Sequence, residues 1–259
     1  MVLKIIKWTV LSVVAAAVLA ACVLYFQASR VPAAYMPSRL TAQQKESAAG
    51  NFNRRLQDFS NSAQGLEPFT WSITQDEVNA SLSSMDEIVN ALPGNHRSVI
   101  GEMEKIGVVE PAVAFGDGVM TLMIRSSKYD KVFAADVSYA SDGEGRLLPS
   151  LIAARVGDLP VPDSILRGQL ARLEAAVPKK TARSKSAARG ATGSVVGEED
   201  LSAMMGAVLA ALVRQVPIDA ELTVPINKKK VRIERIEITP GLLTLHAAAV
   251  RLPAPQDQN

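Results

Sequence analysis

The sequence contains one cysteine, Cys22, and two histidines, His96 and His246, among its 259 residues. A single cysteine excludes an internal disulfide framework and any zinc or iron–sulfur site built from clustered cysteines. The scarcity of histidine also argues against a His-rich catalytic metal centre. We therefore predict that the protein holds no metal and no cofactor.

The sequence also lacks the motifs that accompany common catalytic chemistry. It has no GxSxG segment, and its glycine pairs at Gly116–Gly118 and Gly143–Gly145 lack the spacing that cradles phosphate. The acidic residues Asp76-Glu77 and Glu198-Glu199-Asp200 fall where helices are predicted to begin, so helix capping explains them. We predict no catalytic residue and no enzymatic activity.

Basic residues are not in excess in the part of the chain that is predicted to fold. Residues 1–30 hold Lys4, Lys7 and Arg30 and no acid, which leaves 25 bases and 26 acids in the remainder. A nucleic-acid-binding domain concentrates basic residues on a folded face. This distribution therefore predicts no nucleic-acid partner.

A long apolar run lies near the N-terminus. The 19 residues from Trp8 to Phe26 contain no charge, glycine or proline, and a helix of that length spans roughly 28 Å, close to a bilayer core. Aromatic residues at both ends suit the membrane interface, and Lys4 and Lys7 predict a cytoplasmic N-terminus. We expect a single-pass protein of the cell membrane whose C-terminal part lies outside the cytoplasm, in the periplasm of a cell envelope.

A lipoprotein is the alternative interpretation of the same segment. Leu19-Ala20-Ala21-Cys22 is typical of a lipobox, with cleavage after residue 21 and lipid attached to Cys22. The apolar residues Val23–Phe26 after the cysteine favour an uncleaved anchor. Both interpretations place the folded domain on the same side of the membrane.

Four regions follow from these patterns. Residues 1–30 form the anchor, or a lipoprotein signal to residue 21; residues 31–66 form a stalk helix; residues 67–253 form one extracytoplasmic domain; and residues 254–259 form a tail. The stalk stripe consists of Phe52, Leu56, Phe59, Ala63 and Leu66. We expect this stripe to pack on the domain, with a coiled-coil dimer as the alternative.

Residues 67–177 alternate between helix and strand signals. Pro68–Ile73 predicts a strand, and Thr74 with Glu77 three residues later predicts a capping box. The helix that follows is predicted to bury Val78, Leu82, Met85, Val89 and Leu92 and to end at Pro93–Asn95. Strands are predicted at 108–115, 119–124, 131–139 and 146–156, and another helix opens at Pro162–Asp163.

The C-terminal strands resemble the first hairpin. Alternating residues 218–226 predict a strand, and the phase change between Ile233 and Ile236 predicts a bulge near Glu234–Arg235. Six positions repeat at an offset of 123 residues, namely Val108, Val113, Phe115, Gly118, Thr121 and Leu122 against Val231, Ile236, Ile238, Gly241, Thr244 and Leu245. We predict an α+β fold in which a curved antiparallel sheet packs on, or wraps around, amphipathic helices.

Two segments between these strands carry candidate functional residues. Residues 178–197 are small, polar and basic, which predicts a disordered loop. The helix predicted at 198–216 has a wide apolar face that forms either a core element or the lining of an apolar ligand site. The candidate lining residues are Leu201, Met204, Met205, Val208 and Leu212.

Lys228, Lys229 and Lys230 lie together between two predicted strands. A solvated turn that prevents edge pairing explains them. The alternative is contact with anionic lipid at the membrane surface, where each base contributes about 1 kcal/mol.

Two motifs resemble those of YpmS-like membrane-anchored envelope proteins. Trp71–Leu82 is similar to their strand-then-helix opening, Thr-x-x-Glu-Leu-Asn-x-x-Leu, and Arg155–Pro162 is similar to their Gly-x-Leu-Pro-Leu-Pro segment. The resemblance to this family, and more loosely to the tubular lipid-binding group, implies a long curved sheet around a helix. It also implies the handling of lipid or another apolar ligand. The chain departs from this pattern at residues 178–197 and in the helix and strands that follow them.

These observations predict a membrane-anchored extracytoplasmic protein that binds lipid or another apolar ligand without catalysis. The alternative is a structural or assembly module that binds other envelope proteins through the stalk helix or a sheet edge.

Overall fold

The computed structural model describes residues 16, 18–65, 67–91, 98–141, 146–168, 218–219, 221–223 and 230–250. The described helices are α1 (18–29), α2 (Ala42–Ser62), α3 (Gln75–Ser83), α4 (Met85–Asn90), α5 (Val99–Lys105) and α6 (163–168). The described strands are β1 (Phe69–Thr74), β2 (Val108–Phe115), β3 (Met120–Ser126), β4 (Lys131–Ser141), β5 (Arg146–Val156), β6 (Leu159–Pro160), β7 (Ile218–Asp219), β8 (Glu221–Thr223), β9 (Lys230–Thr239) and β10 (Leu242–Ala249). The α+β class is confirmed.

The strands form two antiparallel sheets. The four-stranded sheet has the order β1-β10-β9-β8, and the six-stranded sheet runs β2-β3-β4-β5, with the short strands β6 and β7 both paired to β5. The expectation of one curved sheet was therefore wrong for the described residues. Most strands pair with a sequence neighbour, and β1 joins the four-stranded sheet by pairing with β10.

The two sheets meet where the β2–β3 and β9–β10 hairpins turn. The N–H of Gly118 donates to the carbonyl of Ile238 at 2.9 Å, and the N–H of Gly241 donates to the carbonyl of Phe115 at 3.1 Å. Phe115 and Ile238 are buried in one cluster. The repeat in the sequence thus corresponds to two equivalent hairpins joined tip to tip.

Helix α3 connects the two sheets. Thr74 and Glu77 form the predicted capping box, and the backbone N–H of Gln75 donates to the carbonyl of Gly241 at 2.9 Å. Buried Asn79 donates to the carbonyl of Val113 at 3.0 Å and accepts from its N–H at 2.7 Å. The Asn79 amide therefore pairs with the backbone N–H and carbonyl of Val113 on the outer edge of β2, as a neighbouring strand would.

The bulge predicted near Glu234–Arg235 is confirmed. Arg235 lies opposite His246, whereas Ile233 lies opposite Ala247, so Glu234 is the extra residue of β9. The bulge returns Ile233 and Ile236 to the buried side of the sheet despite their odd spacing.

The prediction of a single helix that ends at Pro93 was wrong. Ser84 departs from helical geometry and separates α3 from α4, and its backbone N–H donates to the carbonyl of Ser81, three residues earlier. The short helix α5, which Ser98 caps at the N–H of Gly101, was not predicted. Leu92 lies outside the described residues.

Helix α2 confirms the helix predicted for the stalk. Phe59 and Ala63 are buried, and the Phe59 ring makes edge-to-face contacts with Phe69 at 5.4 Å and Trp71 at 5.7 Å between centroids. Leu56 of the same predicted stripe is exposed. The helix thus packs its C-terminal half on the four-stranded sheet, and Leu66 lies outside the described residues.

Candidate functional site

The structure describes only some of the predicted site residues. Cys22 is exposed on α1, and Lys230 is the exposed first residue of β9. The remaining predicted site residues lie outside the described part of the chain, namely Leu201, Met204, Met205, Val208, Leu212, Lys228 and Lys229. The same is true of the basic segment 178–197, of residues 8–15 and 17 in the predicted membrane segment, and of the tail 254–259. Among the described helices, none has the length and apolar character needed to cross a bilayer.

Helix α1 exposes its apolar side chains on every side. All residues from Val18 to Phe26 are exposed, and Leu19, Tyr25 and Phe26 each have about two-thirds of their surface accessible. Exposed apolar side chains on all faces of a helix have no partner in water. The described part of the domain therefore leaves these apolar side chains uncovered.

The C-terminal end of α1 is fixed to the six-stranded sheet at the turn between β5 and β6. The N–H of Asp158 donates to the carbonyl of Gln27 at 3.0 Å. Gly157 has a φ of +58°, and a Cβ there would lie 2.5–2.7 Å from the backbone oxygens of Arg30, Gln27 and Ala28. Only glycine permits this approach between helix and turn.

Lys131, the first residue of β4, holds the same helix from its side. Its ammonium lies 4.7 Å from the centre of the Tyr25 ring and donates a hydrogen bond to the Ser29 hydroxyl. A cation over an aromatic face is attracted by the ring quadrupole. The last turns of α1 are therefore positioned against β4 by two separate contacts.

A shallow hollow opens between α1 and the sheet. It has a volume of about 630 Å³ and is lined by Tyr25, Tyr129, Asp130, Lys131, Phe133 and Val156. Phe133 and Val156 are cross-strand partners and therefore lie on one face of the sheet. The hollow combines apolar walls with a charged rim, an arrangement that suits an apolar chain carrying a polar end.

A second hollow, of about 310 Å³, lies under the segment that follows α1. The Tyr35 hydroxyl donates to the carbonyl of Glu110 at 2.7 Å, and the Glu110 carboxylate pairs with Arg39 at 3.2 Å and Arg125 at 3.3 Å. Burial, followed by the nearby Glu110 carboxylate, raises the pKa of Tyr35 to about 12. Because Tyr35 and Arg39 of this segment both bind Glu110 of β2, we interpret this hollow as the place where the segment is fastened to the sheet.

One polar cluster superficially resembles a catalytic relay. His246 Nδ1 lies 3.4 Å from the Thr70 hydroxyl, and its Nε2 lies 3.2 Å from Glu237. However, Thr70 and Arg235 are the direct cross-strand partners of His246, so the register alone brings these groups together. We interpret the cluster as cross-strand polar pairing on an exposed sheet face.

The described residues contain no group of three or more His, Cys, Asp or Glu side chains that could hold a metal ion. Sequence patterns did not single out Tyr25, Lys131, Phe133 or Val156 as neighbours, since these residues meet only through tertiary contacts. The one sequence signal for this region was Gly157, which lies in the Arg155–Pro162 motif.

Comparison with protein-family models, curated proteins and solved structures gives no match for this chain. The resemblance to YpmS-like envelope proteins therefore stays a prediction that rests on its two motifs.

Proposed function

We propose that this protein is a membrane-anchored, non-enzymatic binder of an apolar ligand, such as a lipid acyl chain, on the extracytoplasmic side of a cell membrane. The observation that carries the proposal is the hollow shared by Tyr25 of α1 and Phe133 and Val156 of the six-stranded sheet. A ligand in this position would pass from the side of the apolar helix directly onto the apolar face of the sheet.

The anchoring part of the proposal is supported by α1 and the sequence before it. The exposed apolar residues of α1 continue the uncharged run that begins at Trp8, and Lys4 and Lys7 precede it. The apolar residues Val23–Phe26 that follow Cys22 favour an uncleaved anchor over a lipoprotein. Mass spectrometry of the purified chain tests this choice, because a diacylglyceryl group on Cys22 would replace the anchor with a lipid attachment.

The binding part is supported by the size and walls of the hollow. Its volume of about 630 Å³ lies within the range typical of small-molecule sites, roughly 300–1,000 Å³. Its rim residues Lys131 and Asp130 would face a ligand's polar end, while Phe133 and Val156 would face its apolar chain.

Photolabelling with a diazirine-bearing phospholipid tests the binding site. We expect the full chain, reconstituted in nanodiscs that contain the probe, to be labelled in peptides that include Phe133 or Val156. Phe133→Ser should reduce this labelling several-fold. Leu122→Ser is the matched control, since Leu122 lies on the same sheet face but does not line the hollow. Labelling confined to α1, or equal labelling of both variants, would contradict the proposed site.

The alternative, an assembly module that binds other envelope proteins through the stalk helix, has less support. The aromatic residue at the centre of the stalk stripe, Phe59, packs inside the domain against Phe69 and Trp71. Crosslinking in intact cells tests this alternative, which requires capture of a protein partner that depends on residues 38–64.

A further inference from the structure

Two turns lie side by side at the end of the six-stranded sheet that holds α1. The N–H of Ser127, in the turn between β3 and β4, donates to the carbonyl of Gly107, in the turn between α5 and β2, at 3.0 Å. Each turn projects one large apolar or aromatic side chain into solvent. Ile106 is 78% exposed and Tyr129 is 59% exposed. We refer to these two turns, residues 105–107 and 127–130, as the paired turns.

The paired turns are held in a fixed conformation. The N–H of Asp130 donates to the carbonyl of Ser126 at 2.8 Å, and Arg125 Nε donates to the Asp130 carboxylate at 2.9 Å. Asp130 has a φ of +52°, a left-handed conformation that aspartate tolerates better than most residues. The exposure of Tyr129 is therefore set by the turn itself.

The position of the paired turns relative to α1 is also set. Lys131 follows the β3–β4 turn directly and lies over the Tyr25 ring, and Tyr25 and Tyr129 line the same hollow. The four-stranded sheet joins at the other ends of these strands, through Phe115 and Leu147. The paired turns and the exposed end of α1 therefore lie at one end of the domain.

The charged side chains around the paired turns do not favour a partner of one charge. Lys105 pairs with Glu102 at 2.6 Å, Arg125 pairs with Asp130, and the Lys128 ammonium lies 5.1 Å from the centre of the Tyr129 ring. Glu104 is exposed nearby. Because acids and bases nearly balance here, the surface is suited to a neutral or mixed interface rather than to a strongly anionic partner.

We propose that the paired turns form a membrane-contact surface in which Ile106 and Tyr129 enter the interface of the same bilayer that holds α1. Tyrosine favours the headgroup level, where its ring is apolar and its hydroxyl is hydrated, and lysine side chains extend from that level toward water. The inference rests on the proposed anchoring of α1. It adds that the domain lies on the bilayer with a defined face, which brings the hollow beside Tyr25 to the lipid surface.

Fluorophores attached at single cysteines test this surface in the full chain. Cys22→Ala removes the native thiol, and Ile106→Cys, Tyr129→Cys or Asp117→Cys then provides one site for an NBD label. Asp117 is the control because it is exposed in the β2–β3 turn at the opposite end of the same strands. Each labelled chain is reconstituted into phosphatidylcholine vesicles with and without a doxyl-labelled phosphatidylcholine.

We expect the labels at 106 and 129 to shift to shorter emission wavelengths and to be quenched about twofold or more by the doxyl lipid. The label at 117 should show neither effect. Equal quenching at all three sites, or none at 106 and 129, in chains that float with the vesicles would overturn the contact surface and leave the anchor intact. Chains that do not float with the vesicles would overturn both the contact surface and the anchor. A negative photolabelling result at Phe133 alone would contradict only the ligand site.

Discussion

Gly118 and Gly241 occupy equivalent positions in two hairpins that bind each other reciprocally. Gly118 donates to Ile238 and Gly241 donates to Phe115, and each glycine has a left-handed φ, +69° and +77° respectively. The weak repeat in the sequence is therefore expressed as a local two-fold arrangement that joins the sheets.

Alanine at either glycine should destabilise the fold by a similar amount. Nothing lies within 4 Å of a Cβ at either position, so the cost comes from the left-handed backbone alone, about 1–2 kcal/mol each. Chemical denaturation of Gly118→Ala and Gly241→Ala measures it. Gly116→Ala, in the same turn but without a left-handed φ, should be neutral or stabilising by up to about 1 kcal/mol. A loss at Gly116 equal to that at Gly118 would contradict this explanation.

Asn79→Ala should reduce the free energy of unfolding by about 2–4 kcal/mol, because it leaves both backbone groups of Val113 buried without their partner. Asn79→Asp keeps the shape but places a carboxylate oxygen against the Val113 carbonyl. Its destabilisation should therefore be larger at neutral pH than near pH 4, where protonation restores a donor. Urea titrations at the two pH values test this, and Asn90→Ala, at an exposed position, should change stability by less than about 0.5 kcal/mol.

Glu77 should make the stability of the fold sensitive to acid. Partial burial acts to raise its pKa, but hydrogen bonds from the Thr74 backbone and the Arg55 guanidinium outweigh this and lower the pKa below 4.5. Its contribution is therefore complete above pH 4.5 and is lost as the pH falls through the lowered value.

Glu77→Gln should retain the cap but lose the charge pair with Arg55, at a cost of about 0.2–1 kcal/mol at neutral pH. The difference from the wild type should disappear in acid, as thermal unfolding across pH 3–7 would record. Glu46→Gln, an exposed glutamate in the first turns of α2, should follow the wild-type pH curve. A pH-independent loss in Glu77→Gln would mean that the charge pair does not contribute.

Gly157→Ala should separate α1 from the six-stranded sheet, since a Cβ at this position would overlap three backbone oxygens. Trypsin should then cleave after the exposed Arg30 about tenfold faster, equivalent to about 1.4 kcal/mol of local stability. Gly168→Ala, where a Cβ meets nothing within 4 Å, is the control and should be cleaved at the wild-type rate. Unchanged cleavage in Gly157→Ala would show that the helix end is held elsewhere.

Local patterns predicted local structure well. The capping box at Thr74, the hairpin around Gly116–Gly118 and the bulge at Glu234 follow from residues within a few positions of each other, and the structure contains all three. The break at Ser84 was missed because the apolar positions Val78, Leu82, Met85 and Val89 keep helical spacing across it.

The candidate site was much less predictable. Tyr25 and Lys131 are more than 100 residues apart and meet only because Gly157 admits the end of α1. Their side chains carry no motif, and the hollow between them depends on the packing of a helix whose sequence indicates a membrane segment rather than a binding wall. Sequence reasoning instead favoured the helix predicted at 198–216, whose apolar face is visible in the sequence itself.

The amide side chain of Asn79 closes the outer margin of β2, where Gln75 also accepts from the N–H of Phe115 at 2.8 Å. An unprotected strand margin recruits further chains and leads to fibrils. Under the proposed anchoring, copies of this protein share the two dimensions of a bilayer and meet often, so an open β2 margin would favour self-association. Helix α3 thus keeps neighbouring copies from joining their sheets through β2.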